Sequence, residues 1–351
     1  FQVNRGSIAM DRRKFSQMVA LTGAAGLMGR SMPARSQVRQ IRIVNSGGAS
    51  ADAAAAAYGK PFTSKTGIQV VTEGPNLLGK LRALVETGNS STTLFVLGAM
   101  AFEQAKSLNL IRKLDWQKID PMPMFPETRN DYGLGFIFYS TLMAWRKGQR
   151  APNDWAQFFN SQDFPGKRAL PDNPIYVLPA ALLAAGVPME KLYPLDVDLA
   201  FQKLSVFKKD VSIWWKSGVQ PPQLLRDNEV QYAMAWSGRV NGQEGVEYSF
   251  NQASLDISFM VVVRTAVDAE VDAAYKYLHE MTVAENQAIY YGIDPYPGNS
   301  PSLEKLLPPE AVKKFETAAN NKSVQYYHDA KWWYTQGDAV ERRWQQFKLS
   351  L

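Results

Sequence analysis

The chain has 351 residues, of which 46% are hydrophobic, 21% charged and 12% aromatic, a balance typical of globular proteins and unlike disordered or fibrous ones. This length exceeds what a single hydrophobic core usually serves, so we expect two domains or lobes. The sequence contains no cysteine and only two histidines, His279 and His328, which excludes disulfides and cysteine zinc sites. We therefore expect no catalytic residue, no metal and no cofactor.

The net charge of +6 is concentrated at the N-terminus. Residues 1–36 carry six basic side chains and one acidic side chain, so the remainder holds 33 basic and 32 acidic side chains. A body this close to neutrality gives no support to nucleic-acid binding, and we expect none.

Residues 10–36 have the three parts of an export signal. Arg12 and Arg13 precede the uncharged apolar run 18–28, and residues 34–36 supply small side chains at a cleavage position. The arginine pair is typical of twin-arginine signals, and the run is shorter than the ~20 residues of a permanent membrane span. We predict a periplasmic protein whose mature chain begins near Gln37, and we exclude residues 1–9 from the fold prediction as a possible scar. The alternative is that the leader forms an amphipathic first helix of the domain.

Strands and helices alternate after this leader. Apolar, β-forming runs predict strands at 40–44, 68–72 and 92–97, and each is followed by a predicted helix, at 51–62, 77–86 and 101–107. This order indicates an α/β fold with a mostly parallel sheet flanked by helices. Such sheets bind ligands beyond the carboxyl ends of their strands, so the loops of interest are 45–50, 73–76 and 98–100.

Two longer extended runs divide the rest of the chain. Residues 135–145 and 257–263 are apolar and long enough to cross from one lobe to another. The other predicted elements are a strand at 230–236 and helices at 154–159, 177–185, 199–208, 271–282, 284–291, 311–315 and 338–347. We therefore predict two lobes joined by two crossings: residues 37–138 with 258–351 form lobe 1, and residues 139–257 form lobe 2.

Four stretches in a fixed order carry a family likeness. They are Phe62-Thr-Ser-Lys-Thr-Gly-Ile-Gln-Val, Trp215-Lys-Ser-Gly-Val-Gln with Asn228-Glu-Val and Ala235-Trp-Ser-Gly-Arg, Tyr291-Gly-Ile-Asp-Pro-Tyr-Pro, and Trp332-Trp333 with Arg343-Trp344. Together they resemble periplasmic solute-binding proteins of ABC importers, most closely the spermidine/putrescine type, over nearly the whole mature chain. The resemblance implies a type II two-lobed binding fold that closes on a small solute and presents it to an inner-membrane ABC permease. We expect it to act as a monomer.

The resemblance and the loop positions together nominate the ligand-binding residues. Trp236 matches the cleft tryptophan of the family, and Asp172 and Asp256 lie at or near its acidic positions, which implies aromatic walls and carboxylates for an amine. The alternatives are that Trp236 ends a buried strand and that Asp172 forms a turn. The other candidates lie in loops at strand ends: Ser46, Gly47, Gly48, Asn76, Ser217, Gln220, Arg239 and Tyr296.

The first loop, residues 45–50, lacks the aromatic side chains with which polyamine binders hold their ligand. Its glycine pair precedes a helix start, where backbone N–H groups suit a carboxylate or phosphate, although a plain serine-capped turn explains it equally well. The sequence thus predicts a polyamine or related amino or zwitterionic solute, or alternatively an anionic solute bound at residues 46–50. A secreted enzyme of unknown type is the alternative from another class, and both histidines are assigned ordinary packing or surface roles.

Overall fold

The computed structural model describes residues 38–351, so the predicted leader lies outside the described residues. The strands in this range are β1 (Gln40–Val44), β2 (Gln69–Glu73), β3 (Leu94–Gly98), β4 (Arg129–Asn130), β5 (Gly133–Arg146), β6 (Arg168–Pro171), β7 (Val211–Trp215), β8 (Tyr232–Trp236), β9 (Val246–Val262) and β10 (Tyr326–Tyr327). The α-helices are α1 (Gly48–Ala54), α2 (Lys60–Thr66), α3 (Leu78–Glu86), α4 (Ala99–Ser107), α5 (Trp116–Ile119), α6 (Trp155–Phe158), α7 (Pro174–Ala184), α8 (Val197–Phe207), α9 (Gln220–Arg226), α10 (Ser237–Val240), α11 (Asp268–Glu280), α12 (Ala284–Ile293), α13 (Pro309–Val312), α14 (Ala319–Lys322) and α15 (Ala330–Lys348). A π-helical turn, Ala55–Gly59, joins α1 to α2.

These strands form one mixed sheet in the order β2-β1-β3-β9-β5-β8-β6-β7, with β10 added beside β9 and β4 beside β5. Both ends of the sheet are parallel: β1 pairs with β2 and β3, and β6 pairs with β7 and β8. The centre is antiparallel, because β9 runs against β3 and β5, and β5 runs against β8. The predicted α/β class with parallel sheet segments flanked by helices is therefore confirmed.

The two central strands correspond to the two predicted crossings. β5 and β9 pair along their length, from Leu134 opposite Met260 to Arg146 opposite Val246. The end of β9 is close to the prediction, but the strand starts eleven residues earlier than residue 257. This first half is missed because Glu247, Ser249 and Asn251 interrupt the apolar pattern that predicts a buried strand.

The buried side chains fall into separate clusters, which draw on opposite ends of β5. The first cluster draws on β1, β3, the first four helices, α11 and the first half of β5. The second draws on α6, α7 and α8, together with Trp333, Trp344 and Phe347 of the C-terminal helix. Residues 258–351 are predicted to belong to lobe 1, whereas the buried side chains of α15 pack in the second cluster. The division into lobes itself stays a prediction.

Within residues 38–351 we find no helix whose length and hydropathy would suit a membrane span.

Candidate ligand-binding site

One face of the central strands carries polar side chains at mid-length. Thr141 of β5 lies opposite Trp236 of β8 on one side and Ser254 of β9 on the other. Tyr139, two residues before Thr141 on the same strand, lies opposite Asp256. Paired residues of antiparallel strands share a face, so these five side chains project to the same side of the sheet.

The Asp256 carboxylate lies buried at this position without a hydrogen-bond donor from residues 38–351. The residue is 6% exposed, and burial raises the pKa of its carboxyl group to about 7. Nε2 of His328 lies 3.5 Å from Oδ2, beyond the usual range of a direct hydrogen bond. Burial raises the pKa of the Tyr139 and Tyr176 hydroxyl groups, and the nearby Asp256 charge raises both further. Asp256 is thus a desolvated carboxylate surrounded by aromatic hydroxyl groups.

Four buried polar atoms around Asp256 have no hydrogen-bond partner in the described part of the chain: Thr141 Oγ1, Trp236 Nε1, Ser254 Oγ and His328 Nε2. Buried polar groups in folded proteins are nearly always hydrogen-bonded. A group of such atoms beside an unpaired carboxylate is therefore typical of a site whose polar partners come from a bound molecule.

The indole ring of Trp236 lies on the same face of the sheet as Asp256 and is held in place from two sides. A Cβ atom added to Gly218 would lie 2.3 Å from Cε3 of this ring, so the ring needs a glycine at that position. On another side, the Trp215 ring packs edge to face with it at 5.4 Å between centroids. Trp236 remains partly accessible. The ring is therefore held in one orientation while part of it remains open to a ligand.

A cavity of about 100 Å³ lies beside this face of the sheet. It is lined by apolar groups and by the polar side chains of Asn45, Ser46, Ser50, Asn76 and Ser258. Ser258 lies two residues beyond Asp256 on β9 and so shares its face. Gly98 also lines the cavity, and a Cβ atom added to it would lie 3.4 Å from the Tyr139 hydroxyl. This volume accommodates several water molecules or one small solute.

A second buried carboxylate, Asp294, lies behind Ser50, one of the residues that line the cavity. Its Oδ2 accepts a hydrogen bond from Ser50 Oγ, and its Oδ1 lies 3.5 Å from Nη1 of Arg239. Burial raises the pKa of Asp294, while Ser50 and Arg239 act in the opposite direction. The Tyr296 ring packs against Gly238, where an added Cβ would lie 2.4 Å from Cζ. The predicted residues Arg239 and Tyr296 thus join α10 to the segment after α12.

The predicted residues of the first loop lie at the cavity. Ser46 and Asn76 line it directly, and Asn76 Nδ2 donates to the Val96 carbonyl at 3.0 Å. Gly47 and Gly48 have φ angles of 76° and 57°, a left-handed conformation that favours glycine. The Gly47 N–H donates to Asn45 Oδ1 at 3.0 Å, so one backbone donor of this turn is already used.

Three predicted residues have their polar groups occupied elsewhere. Trp344 Nε1 donates to Asp172 at 2.9 Å, and Lys348 Nζ donates to the same carboxylate at 3.0 Å. Burial acts to raise the pKa of Asp172, but the two hydrogen bonds act against it and the pKa is lowered. Gln220 and Ser217 are exposed, and Gln220 Oε1 accepts the Ser217 backbone N–H at 3.1 Å within their own turn. We therefore assign Asp172 to holding α15 in place, and we leave all three out of the proposed contacts.

His328, Tyr139 and Tyr176 were not among the residues predicted for the site. Tyr139 lies in a predicted crossing and Tyr176 directly precedes a predicted helix, so both had only a weak signal in the sequence. His328 had none, because β10 is only two residues long and its pairing with β9 depends on the tertiary structure. Among residues 38–351 no group of three or more His, Asp or Glu side chains is arranged to hold a metal ion.

Comparison with known proteins places the chain in a family. Residues 57–321 match the family of bacterial extracellular solute-binding proteins. The chain is 31% identical over 323 residues to a γ-aminobutyric acid-binding protein of Pseudomonas aeruginosa, covering 88% of this chain and 91% of the relative. A substrate-binding protein of an ABC transporter from Bradyrhizobium japonicum is 33% identical, with a TM-score of 0.81 over 88% of this chain and 99% of the other. A solved GABA receptor is 32% identical, with a TM-score of 0.80 over 88% and 97%.

The chain belongs to the bacterial extracellular solute-binding proteins, and its fold is that of the two-lobed binding proteins. Within that family it is similar to substrate-binding proteins of ABC transporters, so the predicted family and the predicted function of solute capture for an importer are confirmed.

Proposed function

We propose that this protein binds a small zwitterionic amino compound of the GABA class and delivers it unchanged to an ABC permease. The observation that carries the proposal is the Asp256 carboxylate, which is buried and receives no hydrogen bond from residues 38–351. An unpaired charge in such surroundings is strongly unfavourable, and a ligand ammonium group would remove this cost.

The surroundings of Asp256 suit an ammonium group and the methylene carbons next to it. The Trp236 ring provides an aromatic face for cation–π attraction, which contributes about 2 kcal/mol when the cation is desolvated. The hydroxyl groups of Tyr139, Tyr176 and Thr141 supply oxygen atoms that accept hydrogen bonds from the remaining ammonium protons. An amine therefore finds both its charge partner and its hydrogen-bond acceptors here.

The other end of the solute would lie in the cavity beyond Ser258. Ser46 and Asn76 line that cavity, and Arg239 lies beside Ser50 through their shared partner Asp294. The side chains of Ser46 and Asn76 offer polar groups to a carboxylate, whereas the Arg239 charge is balanced by Asp294. Two relatives more than 30% identical are named for GABA, which has an ammonium and a carboxylate separated by three methylene groups. This chemistry matches the two ends of the site.

Capture would proceed by closure of two lobes about β5 and β9. Arg239 and Gly238 contact Asp294 and Tyr296, and in the closure proposed here these contacts would join the two lobes. A ligand touching both halves favours the closed form by its extra contacts. We propose the lobe boundaries given by the sequence, except that α15 packs with lobe 2. We further propose that the protein is exported by its twin-arginine signal and acts as a monomer. It would bind no nucleic acid and catalyse no reaction.

Isothermal titration calorimetry with matched four-carbon solutes tests it. GABA, putrescine, butyrate and succinate share one chain length and differ only in their charged ends. We expect GABA to bind most tightly, putrescine more weakly, and butyrate and succinate not to bind measurably. Preferential binding of succinate or butyrate would contradict an amine site at Asp256. Loss of GABA with appearance of a product, followed by chromatography, would show an enzyme instead.

A further inference from the structure

A chain of hydrogen bonds outside the ligand contacts leads to Asp256. Trp333 Nε1 of α15 lies 2.8 Å from the Tyr193 hydroxyl oxygen, which lies 3.0 Å from Nδ1 of His328. Nε2 on the other side of that imidazole lies 3.5 Å from Asp256 Oδ2 and has no hydrogen-bond partner among residues 38–351. We call Trp333, Tyr193 and His328 the histidine relay.

The groups on the two sides of the imidazole, a hydroxyl at Nδ1 and a carboxylate at Nε2, favour one direction for the relay. An indole nitrogen is only a donor, so the Tyr193 oxygen accepts the bond from Trp333 and its own proton can be given to His328 Nδ1. Burial lowers the pKa of His328 to about 3, so its imidazole is neutral at physiological pH. A neutral imidazole that accepts at Nδ1 carries its proton on Nε2. This N–H faces Asp256.

We infer that His328 is a positioning residue, which the relay holds with an uncharged Nε2–H facing one oxygen of Asp256 at 3.5 Å so that the site selects a cationic amine. This inference rests on the proposed function. A lysine or arginine at this place would neutralise Asp256 and remove its attraction for an ammonium group. A neutral donor stabilises and orients the carboxylate but leaves its negative charge to the ligand.

Among residues 38–351, the groups that face His328 from neighbouring elements carry no positive charge. Tyr176 of α7 and Tyr326 of β10 pack against its ring with centroids at 5.8 and 5.5 Å, and Tyr193 and Asp256 face its two nitrogens. The charge of Asp256 also raises the pKa of Tyr139 of β5 and of Tyr327 of β10. Apart from Asp256, all these groups are hydroxyl-bearing rings whose pKa burial raises, so Asp256 is the group whose ionisation changes near neutral pH.

Nitrogen NMR of the ligand-free full chain tests the relay without using any ligand. The protein contains only His279 and His328, so ¹⁵N-histidine labelling gives two imidazoles, and His279→Gln leaves His328 alone. We expect the His328 spectrum to show a neutral Nε2–H tautomer that persists down to pH 5. Tyr193→Phe removes the hydroxyl donor and should abolish this single tautomer. An Nδ1–H tautomer, or a charged His328 at pH 6, would overturn the relay.

Calorimetry of GABA binding from pH 5.5 to 8.5 tests the consequence for Asp256. His328→Leu lacks the donor, so we expect about tenfold weaker binding at pH 8 and a pH midpoint for binding about one unit higher. His328→Gln keeps an uncharged N–H donor and should restore most of the affinity and the midpoint. Tyr193→Phe should weaken binding about threefold and move the midpoint in the same direction as His328→Leu.

The outcomes separate this inference from the proposed function. If the wild-type protein shows the Nε2–H tautomer but binds no amine, the solute assignment fails and the selectivity role fails with it, while the relay stands. If wild-type protein binds GABA but His328→Leu and His328→Gln lose affinity equally with an unmoved midpoint, His328 only fills space and the inference is wrong. If His328→Leu does not fold, the Tyr193→Phe midpoint decides the question alone.

Discussion

Two buried aspartates near the same cavity differ in the donors around them. Asp294 is bonded by Ser50 and faced by Arg239, whereas Asp256 receives no hydrogen bond from residues 38–351 and has only the His328 N–H facing it at 3.5 Å. The protein satisfies one carboxylate with its own side chains and leaves the other for a partner from outside. Burial alone therefore does not distinguish a binding carboxylate from a structural one; the local count of donors does.

The largest effect should come from removing the unpaired charge. In Asp256→Asn the ligand ammonium would lose its buried partner, so we expect GABA affinity to fall by about 100-fold or more in calorimetry. The free energy of unfolding at pH 8 should not fall, because the change also removes an unpaired buried charge. Retained affinity would show that the ammonium group binds elsewhere and that Asp256, like Asp294, is not a ligand-binding carboxylate.

The next effect tests the Trp236 wall without touching the carboxylate. Gly218→Ala forces the ring to move, since the added Cβ would lie 2.3 Å from Cε3, and we expect about tenfold weaker GABA binding. Gly292→Ala is the matched control, because nothing lies within 4 Å of its added Cβ. Equal affinities for both variants in calorimetry would show that the ring does not contact the solute.

The pH dependence of stability should differ between the wild-type protein and Asp256→Asn. The pKa of Asp256 is about 7 in the folded state and about 3.9 in the unfolded state. At a pH between these two pKa values, the carboxyl group is protonated in the folded state and ionised in the unfolded state. This contribution to stability is therefore present at low pH and is lost as the pH rises through 7. Relative to wild type, Asp256→Asn should gain on the order of 2–4 kcal/mol between pH 4 and pH 8, measured by urea unfolding. A difference that stays constant with pH would contradict a desolvated Asp256.

The smallest binding effect should come from Asp172, the carboxylate whose oxygens are already occupied. Asp172→Asn weakens the bonds from Trp344 and Lys348 but removes no proposed ligand contact. We expect GABA affinity to change less than about twofold, while the free energy of unfolding falls by about 1 kcal/mol. A large loss of affinity would mean that the second predicted acidic position does contact the solute.

Local sequence patterns predicted most of the fold. The first strand begins and ends where residues 40–44 predict it, because apolar and β-branched side chains stand together and a glycine turn follows. The C-terminal helix begins at Ala330 and not at 338, because its first turns are polar and aromatic residues whose burial depends on contacts with other elements. Pairing of distant strands, such as β10 with β9, leaves no local pattern and required the structure.

The site was only partly predictable for the same reason. Trp236 and Asp256 were nominated by resemblance, and they lie on one face of β8 and β9, the two strands that pair with β5. Asp172 was nominated on equal grounds, yet its partners Trp344 and Lys348 lie more than 170 positions away in the chain. A sequence shows which carboxylates exist, but whether donors surround them depends on residues brought together by folding.

A crystal structure of the protein soaked with GABA would test the central claim most directly. The account predicts the ammonium nitrogen at ~2.8 Å from an Asp256 carboxylate oxygen, with the first methylene groups against the Trp236 ring. An ammonium group bound to Asp172 or Asp294, with Asp256 left without a partner, would contradict it.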